Sequence, residues 1–143
     1  MRKAEFPFQS TPCESSEAFP GRKEYVFPVV PCRLHHGKCS LPPIDFLVDS
    51  GADHCVFGGD IAEALGIDIR AGVRHSLTGV VGRKGESWVH SVKLEVVGLE
   101  KYQLRCAFVE CEIPHSGLLG RLGFFDRYVV TVDLRKRVTT ISR

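Results

Sequence analysis

The sequence predicts an all-β fold: a compact β-barrel with one or two short helices. Three observations carry this. Runs rich in Val, Ile, Phe, Tyr and Thr recur along the chain, separated by turns containing Gly or Pro. One segment only, GGDIAEALGIDI, has helical spacing with start and stop signals. The 143 residues show no repeat and no linker, which fits one core. Many short strands with few helices close most readily into a barrel.

Taken in order, residues 1–22 mix Pro, Ser, Glu and Gly with little periodicity and read as a flexible N-terminal arm before a domain spanning 23–143. EYVFPVVPCRL and CSLPPIDFLVD flank His-His-Gly-Lys, the pattern of a hairpin. Pro28 and Pro31 push the first of these strands towards a sheet edge. In the helix, Asp60 is expected as N-cap with Glu63 completing a capping box, and Gly66 as the stop. Ile61, Ala64 and Leu65 would form its apolar side. The arms of RHSLTGVVGRKGESWVHSVKLEVVG pair across a glycine-rich tip, and Trp88, Val89 and Val92 are expected in the core. YQLRCAFVEC is a further strand. GLLGRLGFFDRY is a glycine-punctuated turn leading towards a short helix, and YVVTVDLRKRVTTIS closes the chain as a hairpin.

Composition narrows the class. Hydrophobic residues make up 43% and charged residues 25%, the balance of a soluble globular protein. No apolar run approaches the roughly 18 residues of a membrane span, and the first residues lack the apolar centre of a secretory signal. A cytoplasmic protein is expected. The net charge of +2 is too balanced for a nucleic-acid surface. The six cysteines, at 13, 32, 39, 55, 106 and 111, are expected as reduced thiols. Cys32, His35, His36 and Cys39 have ligand chemistry, but the usual short Cys-x-x-Cys knuckle is absent and the turn reading prevails. No metal and no cofactor is called for.

The informative stretch is PPIDFLVDSGADHCVFG, residues 42–58. A buried strand ends in Asp49-Ser50-Gly51, and apolar residues resume at Cys55. Ser50 lacks the first glycine of a Gly-x-Ser-x-Gly elbow. His54 and Cys55, as strand neighbours, would point to opposite faces, which disfavours a Cys–His pair. GVVGRKGES lacks the order of a phosphate-binding loop. Asp49 remains.

FLVDSGADHCVF resembles the active-site segment of the retropepsin-like aspartic proteases: apolar residues, then Asp-Ser/Thr-Gly-Ala. GLLGR at 117–121 resembles the second signature of that family, and the resemblance runs from about residue 24 to 142. It implies a retropepsin-like barrel with a flap hairpin and Asp49 as the catalytic residue. Ser50 would lock two active-site loops together, and Gly51, Ala52 and Asp53 would contact a bound peptide. Asp53 would pair, preferably bidentately, with Arg121. Gly120 would permit a tight crossing of chains, and Leu118 and Leu119 would wall the cleft or pack beneath the active-site loop. Thr78, Gly79 and Val80, with Val81 and Gly82, would form the flap tip. Arg83 and Lys84 beyond it would favour acidic substrates. Leu122 departs from the family pattern, which often has Asp or Asn there.

The chemistry fits the residues. Two carboxylates beside one water supply an acid and a base, because like charges so close share a proton. The chain has one such signature, so the resemblance implies a homodimer acting on a peptide or protein, with a bell-shaped and acidic pH profile. Two alternatives stand beside it: a catalytically silent peptide-binding or dimerisation module of the same fold, and an autoprocessing domain of a longer polyprotein.

Overall fold

The computed structural model describes residues 2–78 and 84–143. The strands in chain order are β1 (Lys3–Pro7), β2 (Gln9–Pro12), β3 (Glu24–Phe27), β4 (Val29–His36), β5 (Cys39–Ser40), β6 (Ile44–Val48) and β7 (Val56–Phe57). β8 (Val73–Thr78), β9 (Lys84–Val96), β10 (Lys101–Phe108), β11 (Gly117–Leu119), β12 (Val129–Asp133) and β13 (Val138–Ser142) follow. One α-helix, α1 (Gly59–Ala64), lies between β7 and β8.

The strands β4, β6, β11, β7, β10 and β9 are bonded in that order, and β9 closes back onto β4 from Cys32↔Val96 to His35↔Lys93. This is the expected closed barrel. The period-2 alternation of its strands fills the interior. Val30, Cys32 and Leu34 of β4, Val92, Leu94 and Val96 of β9, and Leu104, Cys106 and Phe108 of β10 are all buried. Phe46 and Phe57 meet edge to face at 4.9 Å in the same core. Trp88 is buried as well.

The hairpins form where the turn residues place them. Gly37, with φ +57°, turns β4 into β5, and β8 pairs with β9 from Val73↔Val89 to Thr78↔Lys84. Residues 79–83, which include the expected flap tip at Gly79 and Val80, lie outside the described residues.

Five expectations change. β4 is no edge strand, since it bonds β5, β6 and β9. Pro28 falls in the break between β3 and β4, and Pro31 stands just before the pairing with β9 begins, so neither missing N–H interrupts a ladder. The N-cap of α1 is Gly58, not Asp60, whose carboxylate instead accepts the Ser116 hydroxyl at 3.1 Å. Ala62 rather than Ala64 joins Ile61 and Leu65 on the buried side. Gly66 does end the helix, with φ +71°. Residues 122–128 form successive turns, not a short helix.

The fifth change concerns the arm. Within 1–22, β1 pairs with β13 from Lys3↔Ser142 to Pro7↔Val138, and β2 pairs with β3. Ala4 and Phe6 pack against the core, an alternation too short to stand out beside the prolines. β1, β13 and β12 thus make a separate three-stranded sheet. No helix of the described residues is long and apolar enough to cross a membrane.

Candidate active site

Asp49 is the first residue beyond β6. Its N–H donates to the Leu119 carbonyl at 3.0 Å, and the Ala52 N–H returns to the Asp49 carbonyl at 3.1 Å. The chain therefore leaves the core strand in a tight turn, as Asp-Ser-Gly favours. The Gly51 N–H donates to Asp49 Oδ1 at 2.9 Å, which fixes one carboxylate oxygen of a half-buried side chain. A Cβ at Gly51 would sit 3.2 Å from that oxygen, so glycine lets the backbone come this close.

The partner of this loop is the segment 117–122. β11 runs between β6 and β7, parallel to the first through Leu118↔Leu47 and Leu119↔Val48, and antiparallel to the second. Beyond it, the Arg121 N–H donates to the Ala52 carbonyl at 2.9 Å and the Leu122 N–H to the Asp53 carbonyl at 2.8 Å. At the crossing, a Cβ on Gly120 would lie 2.3 Å from the His54 carbonyl oxygen and 2.9 Å from that of Ala52. Both obstacles are backbone, so only glycine fits.

The Arg121 side chain ties the loop from outside. Nη1 donates to the Ser50 carbonyl at 2.9 Å, and Nη2 stands 3.6 Å from Asp53 Oδ1. The contact with Asp53 is single, not the bidentate one expected, because the other nitrogen is engaged with Ser50. Asp53 Oδ2 also lies 3.2 Å from His54 Nδ1. Both members of the Asp53–Arg121 pair are more than half exposed, so the attraction is screened and modest.

These elements open onto a cleft of about 710 Å³. Asp49, Gly51, Ala52, Asp53, Leu118 and Arg121 line it from the crossing, and Ser76, Leu77 and Gly85 from the β8–β9 hairpin. Leu119 is fully buried beneath. Ser50 is exposed, and Thr78 is the last residue of β8. Sequence reasoning missed the remaining wall, Val56, Val109, Cys111, Ile113 and Pro114. The loop after β10 carries no motif. Leading into β11, His115 and Ser116 take positive φ values of 57° and 59°, a conformation rare for residues with side chains.

Cys55 closes the Cys–His alternative. It is fully buried, and its sulfur accepts the Gly120 N–H at 3.4 Å. Burial pushes its thiol up to about 12, and a thiol held protonated is a poor nucleophile. The thiol serves the crossing instead.

Residues 30–121, well over half of the chain, match the family model described as aspartyl protease. A retropepsin-like aspartic protease from Rickettsia conorii superposes with a TM-score of 0.63 at 13% identity, covering 98% of both chains. The retroviral protease-like domain of Ddi1 from Leishmania major superposes with a TM-score of 0.52 at 21% identity, covering 82% of this chain and 89% of the other. No match was found among curated protein sequences. The chain belongs to the aspartyl protease family and has the retropepsin-like fold.

Proposed function

We propose that the protein is a homodimeric aspartic endopeptidase in which Asp49 of each subunit forms one half of a catalytic dyad. The observation that carries this reading is the placement of one Asp-Ser-Gly-Ala loop, held by the crossing strand, at the floor of a cleft beneath the β8–β9 hairpin. A single chain supplies one carboxylate of this kind, and two-fold pairing supplies the second.

Two carboxylates about 4 Å apart repel by roughly 4 kcal/mol at an effective dielectric of 20. They therefore hold one proton between them at working pH. The ionised member takes a proton from water as that water attacks the peptide carbonyl. The protonated member donates to the carbonyl oxygen and later helps protonate the leaving nitrogen. The Gly51 N–H contact to Oδ1 supports this role by fixing the carboxylate plane before substrate arrives. The hairpin over the cleft supports binding of an extended peptide by strand addition. Gly51, Ala52, Asp53, Thr78, Gly79, Val80 and Leu118 are the proposed contacts, with Ser50, Gly120 and Arg121 supporting the loop and Leu119 packed beneath it.

The test is Asp49→Asn, which keeps the shape of the side chain and its acceptor for Gly51. Cleavage of a peptide library is expected to fall by about 10³-fold or more, in line with loss of a general acid–base pair. Sedimentation is expected to show an unchanged dimer. Retained cleavage overturns the dyad. A chain that stays monomeric at every concentration yet cleaves through Asp49 overturns the symmetric arrangement. An intact dimer that binds peptides and never cleaves them establishes the silent binding module.

A further inference from the structure

Behind the partition formed by Asp53, His54 and His75 lies a second cavity of about 520 Å³. Those three residues line both this cavity and the cleft above Asp49, so the two spaces are neighbours along one surface. Val73 and Arg74 at the start of β8, Leu104 and Arg105 on β10, and Leu122 complete its main walls.

The lining combines an apolar surface with cationic groups. Leu104 is buried, while Val73 and Leu122 are 65% and 57% exposed, so the cavity offers accessible apolar surface. Leu122 stands where the resembled pattern often has Asp or Asn. Arg105 is exposed and forms no ion pair among the described residues. Arg74 is shared with Glu86. The acid on the wall, Asp53, already faces Arg121 and His54. His54 Nε2 is buried without a hydrogen-bond partner among the described residues. The unmatched charge on this wall is therefore positive.

We propose that this cavity extends the peptide cleft and takes an acidic side chain flanked by an apolar residue, supplied by substrate positions remote from the scissile bond. The proposal rests on the peptidase reading for its direction: a peptide strand passing Asp53 continues towards His54 and His75. Arg105 is the specificity-determining residue. Its carboxylate contact strengthens ground-state binding and leaves the chemistry at Asp49 alone, so it acts on KM and not on kcat.

The experiment uses the isotope-labelled Asp49→Asn protein and two blocked probes, Leu-Glu-Leu-Glu-Leu and Leu-Gln-Leu-Gln-Leu. The acidic probe is expected to shift the amide signals of Arg74, Leu104, Arg105 and Leu122. It is expected to bind about fivefold more tightly than its amide counterpart, the scale of a partly screened ion pair. Arg105→Ala, on an outward position of β10, should remove that preference with the spectrum otherwise intact, and Arg105→Lys should restore part of it. Added salt should erode it. Equal binding of the two probes, or shifts confined to other surfaces, overturns the proposal. Cleavage of a peptide substrate bearing either extension separates the two readings. Acid-specific binding without any Asp49-dependent cleavage removes the peptidase and keeps this site. Cleavage with a KM indifferent to the extension and to Arg105 removes this site and keeps the peptidase.

Discussion

The crossing of residues 49–54 with 117–122 and the sheet of β1, β13 and β12 treat their edges in opposite ways. At the crossing, backbone groups of Asp49, Ala52 and Asp53 all find partners on the other strand, and a thiol and a guanidinium fill in at Gly120 and Ser50. The terminal sheet ends in β12, which bonds β13 on one side and no strand on the other among the described residues. Val129, Val132 and Leu134 at that end are 63%, 46% and 66% exposed. The first region is structurally finished within one chain but holds one Asp-Ser-Gly carboxylate, that of Asp49. The second is unfinished in structure. Backbone pairing is complete where the Asp49 loop is held, and the terminal sheet leaves an unpaired edge with apolar side chains in solvent.

The comparison breaks first at Gly120. Gly120→Ala forces a methyl into two carbonyl oxygens that cannot move without parting the crossing. A loss of about 3 kcal/mol or more is expected from such overpacking, read as the shift of a denaturant midpoint. The next test acts on the terminal sheet. Val129→Lys with Val132→Lys charges the open edge, and if β12 receives the second copy the dimer dissociation constant should rise about tenfold, measured by sedimentation. The thermal transition of the monomer should hardly move, since neither side chain is buried. A dimer indifferent to both changes places its contact elsewhere.

The smallest effect sharpens the contrast chemically. All six cysteines are free, Cys39 and Cys111 exposed and Cys32, Cys55 and Cys106 buried. Burial raises the thiols of the last three, Cys55 to about 12. A raised thiol stays protonated at neutral and mildly alkaline pH, and the thiolate is the species that alkylates. Mass spectrometry after iodoacetamide treatment should find label at 39 and 111 and none at 32, 55 or 106 in the folded protein. Label at Cys55 in Gly120→Ala would report the opened crossing directly.

Hairpins were legible because alternation and turn residues lie side by side in the sequence. Gly37 sits between strands only a few residues apart, and Gly66 marks the end of α1. What depends on distant partners was not. β1 reads as an arm until β13 is there to pair with it, and the N-cap of α1 shifts because Ser116 takes the Asp60 carboxylate. The candidate site divides the same way. Asp49 to Asp53 and Arg121 stand in recognisable patterns, and most of them line one cleft. Val109, Cys111 and Ile113 face the cleft only because the loop after β10 folds over it, and no property of those residues announces that.

The insertion of β11 between β6 and β7 also sets an order in time. Ser50 and Arg121 are 71 positions apart, so a chain leaving the ribosome exposes its acidic loop long before anything exists to brace it. Competence must wait for nearly the whole polypeptide, and closure over such a separation makes maturation slow. Until Gly120 and Arg121 have been made, the growing chain carries the Asp49 loop without the segment that holds it.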